Sequence, residues 1–131
     1  MFNPYSYETS DAILMPSFLF DDIYRTKLKV IDKLIYTLYL DRYWLFEAND
    51  VLDTNGEVYF YFPDQELIDL LGVSMHAVRS SKSRLKKLNF LEEVHCNGKT
   101  KLYLTPSIYG LDDSYQPYEE EYSLHPDEEG D

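Results

Sequence analysis

Glu66-Leu67-Ile68-Asp69-Leu70-Leu71-Gly72-Val73-Ser74-Met75-His76-Ala77-Val78-Arg79 is the stretch that decides how this chain folds. It reads as a helix, a tight turn and the start of a second helix. Gly72 can take the turn conformation that a side chain opposes. Val73 can plug between the helices, and Ser74 is placed to cap the second by accepting from its free backbone N–H groups. The second helix continues with Val78, Ser81, Leu85 and Leu88 on one stripe, so Arg79, Ser80, Ser83 and Lys87 point the other way and His76 shares their face. Lys82, Arg84 and Lys86 flank that face. Hydrogen-bonding groups in the middle with cations on either side suit the base edges and phosphates of double-stranded DNA. An amphipathic lysine helix can also be merely solvated. The DNA-facing reading rests on turn, cap, basic face and a following hairpin agreeing with one another.

That hairpin lies just downstream. Phe90 to Cys96 and Lys99 to Thr105 read as two strands around Asn97-Gly98, a pair that tolerates positive φ and makes a tight turn. Alternation places Val94 and Cys96 inward, facing Leu102 and Leu104. Lys99 and Lys101 sit near the tip, either as phosphate contacts or as edge-strand lysines that discourage aggregation.

Upstream, Glu57 to Phe62 reads as a strand ended by Pro63, and Asp64 as the N-cap of a helix over Gln65 to Leu71. Asp50 to Gly56 carries turn residues. Thr26 to about Asn49 is the longest helical pattern, with Leu28, Ile31, Ile35, Leu38 and Leu45 on one stripe. Tyr36, Tyr39, Tyr43, Trp44 and Phe46 add so much apolar surface that cover on a second side is expected, from an N-terminal arm or from a second copy in a dimer. Asp41-Arg42 reads as a local ion pair at the helix exit. Ile13 to Phe20 is apolar and interrupted by Pro16, leading to a helical turn near Asp21 to Tyr24. The predicted fold class is α+β and mostly helical: a winged helix, that is a helix-turn-helix with a β-hairpin wing, over residues 13–106. Residues 1–12 are expected to form an arm and residues 107–131 an acidic, flexible tail or linker.

The 131 residues, 44% hydrophobic, suffice for one core. The longest apolar run, Val58 to Phe62, is too short for a bilayer, and Met1-Phe2-Asn3-Pro4 lacks the basic start of a secretory signal. A cytoplasmic protein with no membrane partner is expected. Cys96 is the single cysteine, so no internal disulfide forms, and it reads as a small core residue. His76, His95 and His125 lack metal-ligand spacing, the glycines form no phosphate-cradling loop, and acidic pairs such as Asp21-Asp22 read as solvated. No enzyme activity, cofactor or metal is therefore expected.

The net charge of −12 looks hostile to a polyanion until it is divided along the chain. Residues 1–73 carry five Lys/Arg and thirteen Asp/Glu, residues 74–101 seven and two, and residues 102–131 none and nine. All the positive excess lies in the second helix and the hairpin. With a Debye length of about 8 Å at physiological salt, that local charge outweighs the total.

With these features in place, the sequence resembles the N-terminal domain of the RepA_N family of plasmid replication initiators from about Ile13 to Pro106. The marks are Met15-Pro16-Ser17-Phe18-Leu19-Phe20 with Tyr24, then Leu34-Ile35-Tyr36-Thr37-Leu38-Tyr39-Leu40-Asp41-Arg42. Asn49, Asp53 and Gly56-Glu57-Val58-Tyr59 follow, ahead of the helix pair. The resemblance implies a winged helix that binds repeated plasmid origin DNA as a homodimer, with a separate C-terminal domain, absent from this sequence, that engages host replication proteins. Helical position and the resemblance together place the DNA-facing role on His76, Arg79, Ser80, Ser83 and Lys87, and the cap, the flanking cations and the hairpin tip add Ser74, Lys82, Lys86, Lys99 and Lys101 as expected DNA-binding residues. A winged-helix transcriptional regulator and a protein-interaction module that binds no DNA are the alternatives.

Overall fold

The computed structural model describes residues 12–105. The expected tail, and all of the expected arm but its last residue, lie outside the described residues. Short 3₁₀ turns at Ser17–Phe20 and Asp22–Tyr24 lead to helix α1 (Val30–Ala48), followed by α2 (Asp64–Leu71), α3 (Met75–Lys87), β1 (Leu91–Cys96) and β2 (Lys99–Leu104). This is the α+β, mostly helical arrangement expected, with the helix-turn-helix and hairpin in the expected order.

Helix α1 starts four residues later than its periodicity predicts. The Tyr24 carbonyl accepts from the N–H groups of both Lys27 and Leu28, which closes a turn, and Lys29 is extended before the helix begins. Asp32 then holds the first turn, its carboxylate accepting from the Lys29 N–H at 2.8 Å. Tyr36, Tyr39, Trp44 and Phe46 are all buried and Tyr43 is partly buried. Their cover comes from the same chain. Phe18 and Phe90 close on Tyr36, with Tyr24 packed against both of them, while Phe60 and Phe62 close on Tyr39. The aromatic surplus that suggested a dimer is thus absorbed in one core and lends a dimer no support.

Glu57 to Phe62 is not a regular strand. Leu52 and Val58 form one isolated bridge, and Phe60 forms another with Leu102 through two backbone hydrogen bonds of 3.0 and 2.9 Å. Only Phe60 reaches the hairpin ladder before Pro63, which has no N–H, turns the chain into α2. Pro63, not Asp64, is the N-cap of α2. Asp64 is already helical, and its carboxylate accepts from Lys82 at 2.7 Å instead of capping. Arg42 reaches further than the local pair expected of it. Its guanidinium donates to the Glu66 carboxylate and to the Tyr61 carbonyl, and lies 4.1 Å from the Phe62 ring centroid, which ties α1 to α2.

The turn between α2 and α3 forms as its residues predict. Gly72 adopts φ +68° and donates to the Ile68 carbonyl at 2.8 Å, Val73 packs against the core, and the Ser74 hydroxyl accepts from the Ala77 N–H at 3.1 Å. The hairpin turns at Asn97 and Gly98, both at positive φ, with Leu91 opposite Leu104 and Cys96 opposite Lys99. Its phase differs from the expected one. Leu91 and Glu93 face inward against Leu104 and Leu102, while Val94 and Cys96 are exposed, so Cys96 is no core residue. Leu91 sets the phase because it continues the core from Phe90, and two lysines make the inward position of Glu93 tolerable.

Candidate nucleic-acid interface

Burial of Val78, Ser81 and Leu85 fixes the rotation of α3. His76, Arg79, Ser83 and Lys87 are exposed along its other face, with Ser74 at its start, and Ser80 is half-buried beside them. Arg79 and Lys87 make no ion pair among the described residues. Their charges are available to a polyanion.

The other three cations of α3 are occupied. Arg84, expected to flank the face, donates two hydrogen bonds to Asp32 of α1 at 2.7 and 2.9 Å. This bond raises the guanidinium pKa further, against the opposing effect of burial. Lys82 was expected among the phosphate-binding cations, but it is buried. Its ammonium lies between Asp64 at 2.7 Å and Glu93 at 2.5 Å, because its position on α3 faces the start of α2 and the inner face of β1. Lys86 also pairs with Glu93, although 44% of its side chain remains exposed. Asp32 and Glu93, which the sequence did not single out, and Asp64, read there only as a helix cap, thus decide which lysines and arginines of α3 are held by carboxylates among the described residues. The inward residue at every second position after Leu91 was the one available signal for Glu93.

On the hairpin, Lys99 is exposed with its ammonium 5.6 Å from the Tyr61 ring centroid, and Lys101 is half-buried 4.4 Å from that of Tyr59. His95 Nδ1 and the Thr100 hydroxyl are 2.9 Å apart across the strands. The hairpin is anchored by Asp53. One carboxylate oxygen accepts from the N–H groups of Asn55 and Glu57 at 2.8 and 2.9 Å, and the other accepts from the Tyr103 hydroxyl at 2.9 Å. The Glu57 N–H leads in holding the Asp53 carboxyl below its usual range, against the upward push of burial. Burial first, then the bond to Asp53 and nearby negative charge, push Tyr103 up to about 12. Because the folded value lies above the ordinary 10.0, the stability that depends on a neutral Tyr103, partly buried and bonded to Asp53, is complete below pH 10.0 and is lost as pH rises through about 12. NMR titration of ring-labelled tyrosine should show Tyr103 ionising near 12, and Asp53→Asn should lower that midpoint. An ordinary midpoint in the unaltered protein would mean that the tether does not persist in solution.

Among the described residues, no group of three His, Cys, Asp or Glu side chains is placed to hold a metal, and no helix is long and apolar enough to cross a membrane. The family model described as replication initiator protein A (RepA) N-terminus matches residues 12–117. Three solved structures share the fold. One titled "N-Terminal domain of DNA binding protein" is 24% identical with a TM-score of 0.60, covering 72% of this chain and 73% of its own. A second, "Structure of MDR initiator", is 23% identical with a TM-score of 0.59, covering 72% and 75%. The third, "Structure of Rep-DNA complex", is 21% identical with a TM-score of 0.60, covering 82% and 91%. No curated protein sequence matches significantly.

Proposed function

Since the chain belongs to the RepA_N family of replication initiators, we propose that it binds double-stranded DNA sequence-specifically at plasmid origin repeats, with α3 in the major groove and the hairpin beside a phosphate strand. The observation that carries this reading is the sorting of charge on α3. Among the described residues Arg79 and Lys87 stand unpaired on one face with His76 and Ser83, while Lys82, Arg84 and Lys86 are neutralised by carboxylates of the same chain. What the fold leaves for a partner is one exposed face that carries both charge and hydrogen-bonding side chains, the pair of features that phosphates and base edges call for. The solved structure titled as a Rep–DNA complex supports the same reading for this fold. Association as a homodimer on repeated sites and contact with host replication proteins through a further domain are part of the proposal. They rest on the family alone, and sedimentation with and without origin DNA tests the first.

Mobility shifts against origin repeats, promoter DNA and random duplex at stated salt test the DNA reading. Promoter preference would favour a transcriptional regulator on the same fold. Arg79→Ala and Ser83→Ala should each lose discrimination between specific and random DNA by roughly 1–3 kcal/mol, the usual cost of a lost base contact. Lys87→Ala should weaken binding to every sequence and lower the salt slope by about 0.9, as one phosphate contact does. Equal affinity of all variants and the unaltered protein for both kinds of DNA would remove α3 from the interface.

A further inference from the structure

Glu93 is an unusual residue to find on the inner face of a hairpin. Its side chain is 10% exposed, and burying a carboxylate is costly unless partners compensate. The partners here are Lys82 and Lys86, one helical turn apart on α3, each bound to a different oxygen of the same carboxylate. Asp64 adds a second acceptor for Lys82. An apolar side chain opposite Leu102 could fill this position as far as packing is concerned, so the charge calls for an explanation of its own. Burial alone would raise the Glu93 carboxyl, but the hydrogen bonds and charges of Lys82 and Lys86 hold it below its usual range. It therefore stays ionised and keeps both lysines engaged at neutral pH.

An anion gripped by two lysines of a recognition helix has the chemistry of a DNA phosphate. We propose that Glu93 is a specificity-determining residue that stands in for phosphate, holding Lys82 and Lys86 off the DNA backbone so that the exposed polar face of α3 governs which site is bound. This rests on the reading of α3 as the DNA-facing helix. Sequence-independent affinity grows with each phosphate a protein neutralises. Occupying two of the five cations of α3 internally lowers affinity for random DNA while leaving Arg79 and Ser83 to discriminate. Lys86 is the more releasable of the two, having one carboxylate partner and a side chain already half in solvent. Lys82, with two partners and 11% exposure, is the more firmly held.

The test uses the full chain, with binding to random and origin-repeat duplex followed over a salt series. Glu93→Gln keeps the side-chain shape and removes the charge. It should tighten binding to random duplex about tenfold at low salt, narrow the ratio between specific and random sites, and steepen the salt slope by about 0.9–1.8, for one or two added phosphate contacts. Lys86→Ala should leave the slope of the unaltered protein unchanged, yet remove about 0.9 of the slope gained in the Glu93→Gln background. An unchanged slope in a folded Glu93→Gln variant overturns the proposal. So does a drop of about 0.9 on Lys86→Ala alone, which would show that Lys86 reaches phosphate with Glu93 in place. If Glu93→Gln does not melt cooperatively, the Lys86→Ala slope decides by itself. Lys87→Ala separates the two levels of the argument. A reduced slope there with no response to Glu93→Gln defeats this inference alone, whereas no binding of any duplex by the unaltered protein defeats the DNA reading and this inference together.

Discussion

Phe90→Ala should lower the stability of the domain by about 3–5 kcal/mol, the usual cost of emptying a large aromatic site in a packed core. Phe90 is fully buried at the joint between α3 and the hairpin, where Asn89 takes φ +62° and the Phe90 N–H donates to the Leu85 carbonyl at 3.0 Å. Its ring meets Tyr24 at 5.3 Å, Tyr36 at 5.5 Å and Phe18 at 6.0 Å between centroids. One side chain therefore joins the N-terminal 3₁₀ turns, the central helix and the base of the hairpin. The hairpin base lies more than forty residues beyond the end of α1, and neither it nor the 3₁₀ turns can close over the gap without shifting against α1. Urea unfolding should show the loss as a lower midpoint, and Phe90→Leu, which keeps most of the volume, should cost far less. Similar midpoints for the two variants would mean that the site collapses and that the cluster is looser than its ring geometry indicates.

The second large effect is expected at Asp32. This fully buried carboxylate serves two partners, the Lys29 N–H at the start of α1 and the Arg84 guanidinium on α3. Breaking a buried pair costs about 3–5 kcal/mol when the remaining charge is stranded. Arg84 keeps a quarter of its side chain in solvent, which lowers the expected cost of Asp32→Ala to about 2–3 kcal/mol, helix cap included. Asp32→Asn distinguishes the two roles, because its amide oxygen can still accept from the Lys29 N–H but offers Arg84 no charge. Urea unfolding should place it between the unaltered protein and the alanine variant. A cost below about 0.5 kcal/mol for the alanine variant, the range of ordinary surface changes, would show that the pair does not hold α3 against α1.

Local chemistry made much of this architecture legible in the sequence. Gly72 at positive φ, the Ser74 cap and the Asn97-Gly98 turn each act within a few residues of themselves, and the stripe through Val78, Ser81 and Leu85 sets the outward face of α3. That is why His76, Arg79, Ser83 and Lys87 stand where periodicity placed them. The state of the remaining cations was not legible, because it depends on partners brought close only by folding. Lys82 meets Asp64 across 18 positions of sequence, and Arg84 meets Asp32 across 52. The phase of β1 was misread for a related reason. Taken alone, Val94 and Cys96 look more suited to a core than Glu93 does, and the preference reverses only when two lysines of α3 close over the carboxylate. The aromatic excess of α1 likewise finds its cover in Phe18, Phe60 and Phe90, which no periodicity within the helix could reveal.

A two-stranded hairpin ordinarily leaves both borders open to any extended peptide with unpaired backbone groups, the geometry from which strand-swapped oligomers and fibrils grow. Here the outer border of β2 is blocked in the middle. Both backbone groups of Leu102 that point outward are bonded to Phe60, and the Tyr103 hydroxyl fastens the neighbouring loop to the same strand. An incoming strand must displace Phe60 from the core before it can find its first pair of partners there. The irregular segment before Pro63 thus acts as a guard on the sheet, and copies of the domain at high local concentration would be kept from joining through this border of their hairpins.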